Sequence, residues 1–380
     1  VQPCLIYGAV LNKGFKMPFD PLPASPPIVR RPELQPVAFW LFGLCAMVLV
    51  MVSLGGATRL TGSGLSIMEW APLMGTLPPM SDAEWHRLYA LYQQIPQYSL
   101  INHDLGIAGF KGIFWLEWVH RLWGRLMGVA LFIPLVWFIA RGRIQRGLAT
   151  RLFGLLVLGG LQGAVGWFMV ASGFEADSTA VSPYRLVMHL GLAVSLYAAL
   201  LWTALGVRRQ AAGPSLGYAP RFVRRLTIIS AVLVVITILA GGFVAGLHAG
   251  LVYNSFPLMD GHLFPEGYAI LHPFARNLFE NIPAVQFDHR LLATATATIS
   301  LLAAVMGVWS ARGQVRTAMA VLGVAVLIQY ALGVTTLLWS VPVSLGTAHQ
   351  AMAMLVLTAA LVALHLQSRG RQPRAVPGRT

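Results

Sequence analysis

The sequence predicts an all-α integral membrane protein: eight transmembrane helices arranged as two pseudo-symmetric four-helix bundles. Three observations predict it. Of the 380 residues, 57% are hydrophobic and only 11% charged, a balance outside that of soluble globular domains. Eight apolar runs are each long enough to cross the ~30 Å hydrocarbon layer. And a set of short motifs occurs twice in the same order, so the chain reads as a duplication.

The apolar runs fall at 37–56, 115–140, 151–172 and 184–206, then at 226–247, 289–310, 317–340 and 344–366. They divide the chain into a segment 1–36, a first four-helix half 37–206, a linker 207–225, a second half 226–366 and a tail 367–380. Residues 1–36 are Pro-rich and lack the apolar stretch ahead of a small-residue cleavage site that marks a secretory signal; Met17 is a candidate internal start. An even number of spans puts both termini on one side. The leader, the loops at 141–151, 207–225 and 310–316, and the tail hold 19 of the 27 Lys and Arg residues but only two acids. By the positive-inside rule that side, with both termini, is cytoplasmic, and the expected location is a bacterial inner membrane. The net charge of +14 is therefore a topology signal, and no nucleic-acid partner is expected. Cys4 and Cys45 give neither a disulfide framework nor a thiolate metal site.

Outer loops at 57–114 and 248–288 are long and carry Pro, Gly and aromatic residues rather than low-complexity polar sequence, which predicts ordered caps. Trp70, Trp85, Tyr89, Tyr92 and Tyr98 in the first read either as an interfacial aromatic belt or as a lid over a cofactor.

The repeat fixes the candidate site. Gly55-Gly56 and Gly64-Leu65 align with Gly241-Gly242 and Gly250-Leu251. Pro72-Leu73-Met74-Gly75 aligns, after a one-residue shift, with the stretch Pro257 to Gly261. His120-Arg121 aligns with His289-Arg290, and His189 with His349. The offset falls from 186 at the glycines to 169 at the first histidines, so the first outer loop is 17 residues longer. Four helices per half make the repeat parallel, its axis along the membrane normal. The paired glycines suit close helix packing or close approach of backbone to a macrocycle.

Histidine in an apolar span is costly and faces a partner. The four matched histidines each lie within about two turns of the outer end of an even-numbered helix. Two imidazoles from facing helices suit axial ligation of one haem iron per half. Zinc is the competing reading, but it wants further Cys, His or carboxylate donors, and no HExxH is present. His86, His103, His248, His262 and His272 read as solvated loop residues, and His365 lies at the cytoplasmic end. Arg121, Arg125 and Arg290 are candidate propionate contacts, with snorkelling to lipid headgroups as the alternative. The halves differ at one telling position. Three residues before the histidine stands Glu117 in the first half and Gln286 in the second; only the carboxyl can exchange a proton.

At these residues the chain resembles haem A synthase, the membrane enzyme that makes the haem of terminal oxidases. The stretches that carry the resemblance are GGATRLTGSGLSIMEWAPLMGTLPP (55–79), FKGIFWLEWVHRLWGR (110–125), GGFVAGLHAGLVYNSFPLMDG (241–261), QFDHRLL (286–292) and GTAHQAM (346–352), and it spans 37–366, nearest the alphaproteobacterial and mitochondrial branch. The resemblance implies an oxidoreductase that converts the C8 methyl of haem O to a formyl group by successive hydroxylations. It implies that His289 and His349 ligate a resident haem B, that His120 and His189 hold the haem O substrate, and that Glu117 is the essential acid. Implied partners are haem O, membrane lipid, a haem O synthase, an electron donor and a second copy of the chain. Two departures stand out: the first outer loop lacks the cysteine pair of some relatives, which excludes a thiol-based step there, and Gly109 occupies a position that is often acidic. Two other classes stay open on the residues alone. One is a bis-haem cytochrome b that only passes electrons; the other is a repeat-built transporter, whose ionisable residues would lie at the bilayer midplane.

Overall fold

The computed structural model describes residues 30–71, 74–176, 178–213 and 217–367. Cys4, Met17, Pro72-Leu73, most of the segment 1–36 and nearly all of the tail fall outside them. Eight helices long and apolar enough to cross a membrane are present: α1 Gln35–Leu60, α2 Ile107–Ala140, α3 Arg146–Ala171, α4 Pro183–Ala212, α5 Arg221–Gly246, α6 Ile282–Ser310, α7 Gln314–Leu338 and α8 Val343–Gln367. The protein is a multi-pass membrane protein. In hydrocarbon every backbone N–H and C=O must be satisfied within the segment, and helices do this along their whole length.

The exception is instructive. Pro134 lies inside α2 and has no N–H for the carbonyl of Ala130, one turn earlier. The indole Nε1 of Trp40 on α1 donates to that carbonyl at 2.7 Å instead. A sequence-imposed gap in one helix thus becomes a bond to its neighbour.

Helices adjacent in the chain pack against each other throughout, α4 and α5 included across the linker. The ring also closes within each half: α1 touches α4, and α5 touches α8. Further contacts join α1 to α8 and α4 to α8. The start of α1 lies beside the end of α4, where the Arg31 N–H donates to the Gln210 carbonyl at 3.0 Å. The end of α8 lies beside the start of α5, where Gln367 Nε2 donates to Thr227 Oγ1 at 3.1 Å. Both described ends of the chain therefore share one face, here the terminal side. There the two-residue strands β1 Gly217–Tyr218 and β2 Arg312–Gly313 pair antiparallel and clip the linker to the α6–α7 turn.

The dense apolar core occupies the terminal-side half of the helices, from Leu41 and Val48 through Leu152, Leu200 and Leu322 to Leu357. The opposite half is lined with small and polar residues. Over it sits a second, smaller core in which Trp85, Leu88 and Tyr92 of a loop helix (Asp82–Tyr92) pack on Phe110 and Phe114 of α2. This aromatic cap explains why α2 starts at Ile107, well before the predicted apolar run at 115. Lys111 lies over the Trp85 ring at 4.9 Å, and the extra turns are held by the cap as well as by lipid. As a result His120 sits almost four turns into its helix, deeper than the two turns expected, whereas His189, His289 and His349 sit about two turns in.

Helix packing in the second half is tight where α6 meets α7. A Cβ on Gly307 would lie 2.5 Å from Met319 Cγ and 2.9 Å from its Cβ, so a side chain there must push the helices apart. Gly159 on α3 has nothing within 4 Å. Gly307→Ala is therefore expected to destabilise the protein by ~1–3 kcal/mol through overpacking. Gly159→Ala carries no such penalty. Unfolding temperatures of the two variants in one detergent check this; equal temperatures would contradict the packing described.

Candidate functional site

Each of the four matched histidines is seated against a glycine on the helix before it. His120 of α2 faces Gly55 of α1, where an added Cβ would be 3.3 Å from Nε2. His189 of α4 faces Gly166 of α3, at 2.9 Å from Cε1. His289 of α6 faces Gly241 of α5 at 3.1 Å, and His349 of α8 faces Gly333 of α7 at 2.8 Å, again from Cε1. No side chain larger than hydrogen fits at these places without moving a ring. The rings are thus held against the protein rather than turned out towards lipid. His120 and His189 are close enough to interact electrostatically, and so are His289 and His349. Sequence reading had left the tandem glycines between two roles. Here the first of each pair seats a histidine. The second serves the contact between halves: Gly56 meets Gln350 of α8, and Gly242 meets Val187 and Leu190 of α4.

One glutamine that the sequence reading passed over completes each pair. Gln162 Nε2 lies 3.3 Å from His189 Nε2 and donates to the His189 carbonyl at 3.1 Å. Gln329 Nε2 lies 3.2 Å from His349 Nδ1. Both glutamines stand one turn before the seating glycine, at the same repeat offset. The signal, Gln-x-x-x-Gly in both halves, was present in the sequence. His289 has no side-chain partner; its ring lies against the main chain of Thr237, one turn before Gly241.

Beside His120, the Glu117 carboxylate is only 2% exposed and accepts from four donors. Oε2 takes Ser66 Oγ at 2.7 Å and the Ile67 N–H at 2.9 Å; Oε1 takes Arg121 Nε at 2.9 Å and Nη2 at 2.5 Å. The Arg121 fork is completed by the carbonyls of Glu69 and Ile67, and the guanidinium lies over the Trp167 ring. Gln286 is equally buried, with the polarity reversed. Its Nε2 donates to the Ala249 and Tyr253 carbonyls, and its Oε1 accepts from Arg290 Nη2. Arg290 in turn donates to the carbonyls of Tyr253 and Ser255, the repeat equivalents of Ile67 and Glu69. Each arginine thus ties its outer loop down over its pair of histidines. Arg125 donates to the Ala71 carbonyl at 2.9 Å.

The other histidines stand apart from these groups. His86, His103, His248, His262 and His272 are exposed in the far-side loops, and His365 is buried against Trp202 near the terminal side. Outside the spans, Glu69 and Glu84 share Arg87, whose bonds hold both carboxyls below the usual carboxylate range. That cluster is a surface brace for the cap.

A planar group gripped by two imidazoles fits this arrangement. His189 Nδ1, His289 Nδ1, Gln162 Oε1 and Gln329 Oε1 are buried without a partner in the protein, and Arg290 Nε likewise. Buried polar groups are rarely left so without reason. Zinc fits less well: among the described residues no group of three or more His, Cys, Asp or Glu comes together.

Comparison with known proteins points the same way. Residues 38–361 match the model of a family described as cytochrome oxidase assembly protein. A protein of Granulibacter bethesdensis described as "Heme A synthase" is 62% identical over 336 residues, 88% of each chain. Proteins with the same description from Nitrosospira multiformis (46% identity; 87% of this chain, 93% of the other) and Methylorubrum extorquens (44%; 94% and 93%) are also similar.

The charge difference between the halves is directly testable. Arg121→Leu strands a buried carboxylate and is expected to cost ~3–5 kcal/mol, as broken buried ion pairs do. Arg290→Leu releases a neutral amide and loop carbonyls, with Asp260 as a nearby acid and no ion-paired carboxylate, and should cost clearly less. Denaturation midpoints in one detergent compare the two. A larger loss for Arg290→Leu would contradict the assigned roles.

Proposed function

The chain belongs to the cytochrome oxidase assembly protein family, and on that premise we propose that it is a haem A synthase: it oxidises the C8 methyl of haem O to a formyl group by successive hydroxylations. It does so as two four-helix bundles, residues 37–206 and 226–366, in a bacterial inner membrane with both termini cytoplasmic. One observation carries the reading. Two histidine pairs occupy equivalent repeat positions, and one turn before the first histidine stands a buried carboxyl, Glu117, in one half and a neutral amide, Gln286, in the other; Asp288, beside His289, accepts from Tyr268 instead.

In this reading His120 and His189 hold haem O as substrate, and His289 and His349 hold a resident haem B. Haem B, when bound, supplies a one-electron redox centre. Everything else falls to the chain's own residues. The glycine seats and the flanking glutamines fix the ring planes. The cap of Trp85, Tyr89 and Tyr92 shields the far side of the first half from water. The Glu117 carboxyl is locked to Arg121 and the loop one turn from His120. Its two oxygens already accept from four donors, which favours steadying positive charge that develops on the substrate over passing a proton. The neutral Gln286 suits a site that only stores an electron. Arg290, with Nε buried and unpartnered, is the best supported of the propionate contacts; Arg125 borders the first site, and Arg121 acts chiefly through Glu117. Haem O arrives from a haem O synthase, electrons from a separate donor, and a second copy of the chain is a further partner.

Pigment extraction with mass analysis tests the assignment. The wild-type protein should yield haem B together with haem O, haem A or a partly oxidised form. Glu117→Gln should retain haem but accumulate haem O or the half-oxidised product, with haem A reduced at least tenfold. His289→Ala should lose haem B selectively. A normal yield of haem A from Glu117→Gln would refute the role given to that carboxylate.

A further inference from the structure

Each histidine pair contains one imidazole with an amide partner and one without. His189 and His349 have Gln162 and Gln329; His120 and His289 have no side-chain hydrogen bond. The glutamines come from the helix that also seats the ring, one turn from Gly166 and Gly333. The arrangement is therefore built into α3 and α7 twice over.

The amide chemistry has a direction. The Gln329 amide meets the ring at His349 Nδ1, at 3.2 Å, and by its orientation can present either an N–H or an oxygen to that atom. An imidazole that ligates a metal through Nε2 must carry its proton on Nδ1, and that proton needs an acceptor. The acceptor is already present. Gln329 Oε1 belongs to the same amide and is buried without a partner, so a half-turn of the terminal amide brings it to Nδ1 with no movement of α7 or α8. Gln162 differs: it meets His189 at Nε2 and its amide nitrogen already donates to the His189 carbonyl, so it does not share this role.

We propose that Gln329 is a positioning residue whose amide oxygen accepts the Nδ1–H of His349 when a haem binds, so setting the basicity of that ligand. The inference rests on the haem reading given above. It makes His349 of α8 the firmly held ligand of the second site. His289, which has only the main chain of Thr237 beside its ring, is the ligand that yields first.

The test uses the full-length protein in detergent, with the second-half haem followed by its low-spin EPR signal and its midpoint potential. Gln329→Leu removes the acceptor and should raise the midpoint potential and weaken haem retention roughly ten- to hundredfold, as loss of such outer partners does. Gln329→Glu supplies a stronger acceptor of the same length and should keep the haem and lower its potential. The opposite signs separate a tuning role from a loss of packing, because a merely structural glutamine would move the two variants alike. If Gln329→Leu matches wild type in retention, EPR and potential, the proposal is overturned. If instead wild type itself carries no bis-histidine haem, the underlying assignment of His289 and His349 fails, which is a separate result.

Discussion

An imidazole held edge-on against a glycine of the preceding helix is the constraint on which the rest of this structure depends. It occurs four times, at His120–Gly55, His189–Gly166, His289–Gly241 and His349–Gly333. A ring in that seat cannot swing towards lipid, and a glycine there cannot be replaced without displacing the ring. The seats also explain the uneven filling of the helices. The terminal-side half is close-packed with Leu, Val and Ala, while the half with the histidines has small residues and buried polar atoms without protein partners. Close-packed interiors have few such places. A chain that leaves several of them at repeated positions is organised around something it does not itself supply.

The duplication preserves this geometry and changes its charge. Arg121 and Arg290 make the same two loop contacts at repeat-equivalent carbonyls, so the scaffold of the two sites is one scaffold. Within it, Glu117 accepts an N–H from Ile67 where Gln286 donates to the Tyr253 carbonyl. Exchanging Glu for Gln therefore required the loop backbone to turn a different group inward. Burying a charge costs several kcal/mol unless it is paired and hydrogen-bonded, and here the pairing is complete. The first half buries the Glu117–Arg121 ion pair and the second buries Arg290 against neutral groups, and that difference in charge is the physical ground for assigning the two sites different work.

Much of this was legible from residues. Eight spans follow from hydropathy, because lipid tolerates few alternatives to an apolar helix. The matched histidines and the Glu117/Gln286 difference follow from the repeat. What could not be read was the start of α2. Residues 107–114 are diluted by Gly109, Lys111 and Gly112, and their helix is stabilised by Trp85 and Tyr92 from a distant loop. The loop aromatics did not resolve between belt and lid, because the small separate core formed by Trp85, Tyr89, Tyr92 and Tyr98 needs tertiary contacts, while Trp70 stays exposed against Trp167. Gln162 and Gln329 were missed for a different reason. A single glutamine in a span looks like a tolerated polar residue. Only the spacing to Gly166 and Gly333, read across both copies, marks it.

The tandem glycines show how the two sites are held in one frame. Gly55 seats His120, and its neighbour Gly56 packs on Gln350, which directly follows His349 in the other half. Gly241 seats His289, and Gly242 packs on Leu190, which directly follows His189. Each glycine pair is thus a junction between a histidine of its own half and the histidine-bearing helix of the other. The junctions differ in polarity. Gln350 Nε2 donates to the Val52 carbonyl at 3.0 Å, whereas Leu190 makes only apolar contact. A second tie, from Arg59 Nη1 to the Ala245 carbonyl at 2.9 Å, also runs from α1 across the seam. Helix α1 is therefore the common member: it seats the first histidine, carries the polar crossing to α8, and reaches α5. Any shift of His120 that moves Gly55 must also load the contact beside His349. The two sites are thus joined through contacts of glycine with side chains one residue from each seat.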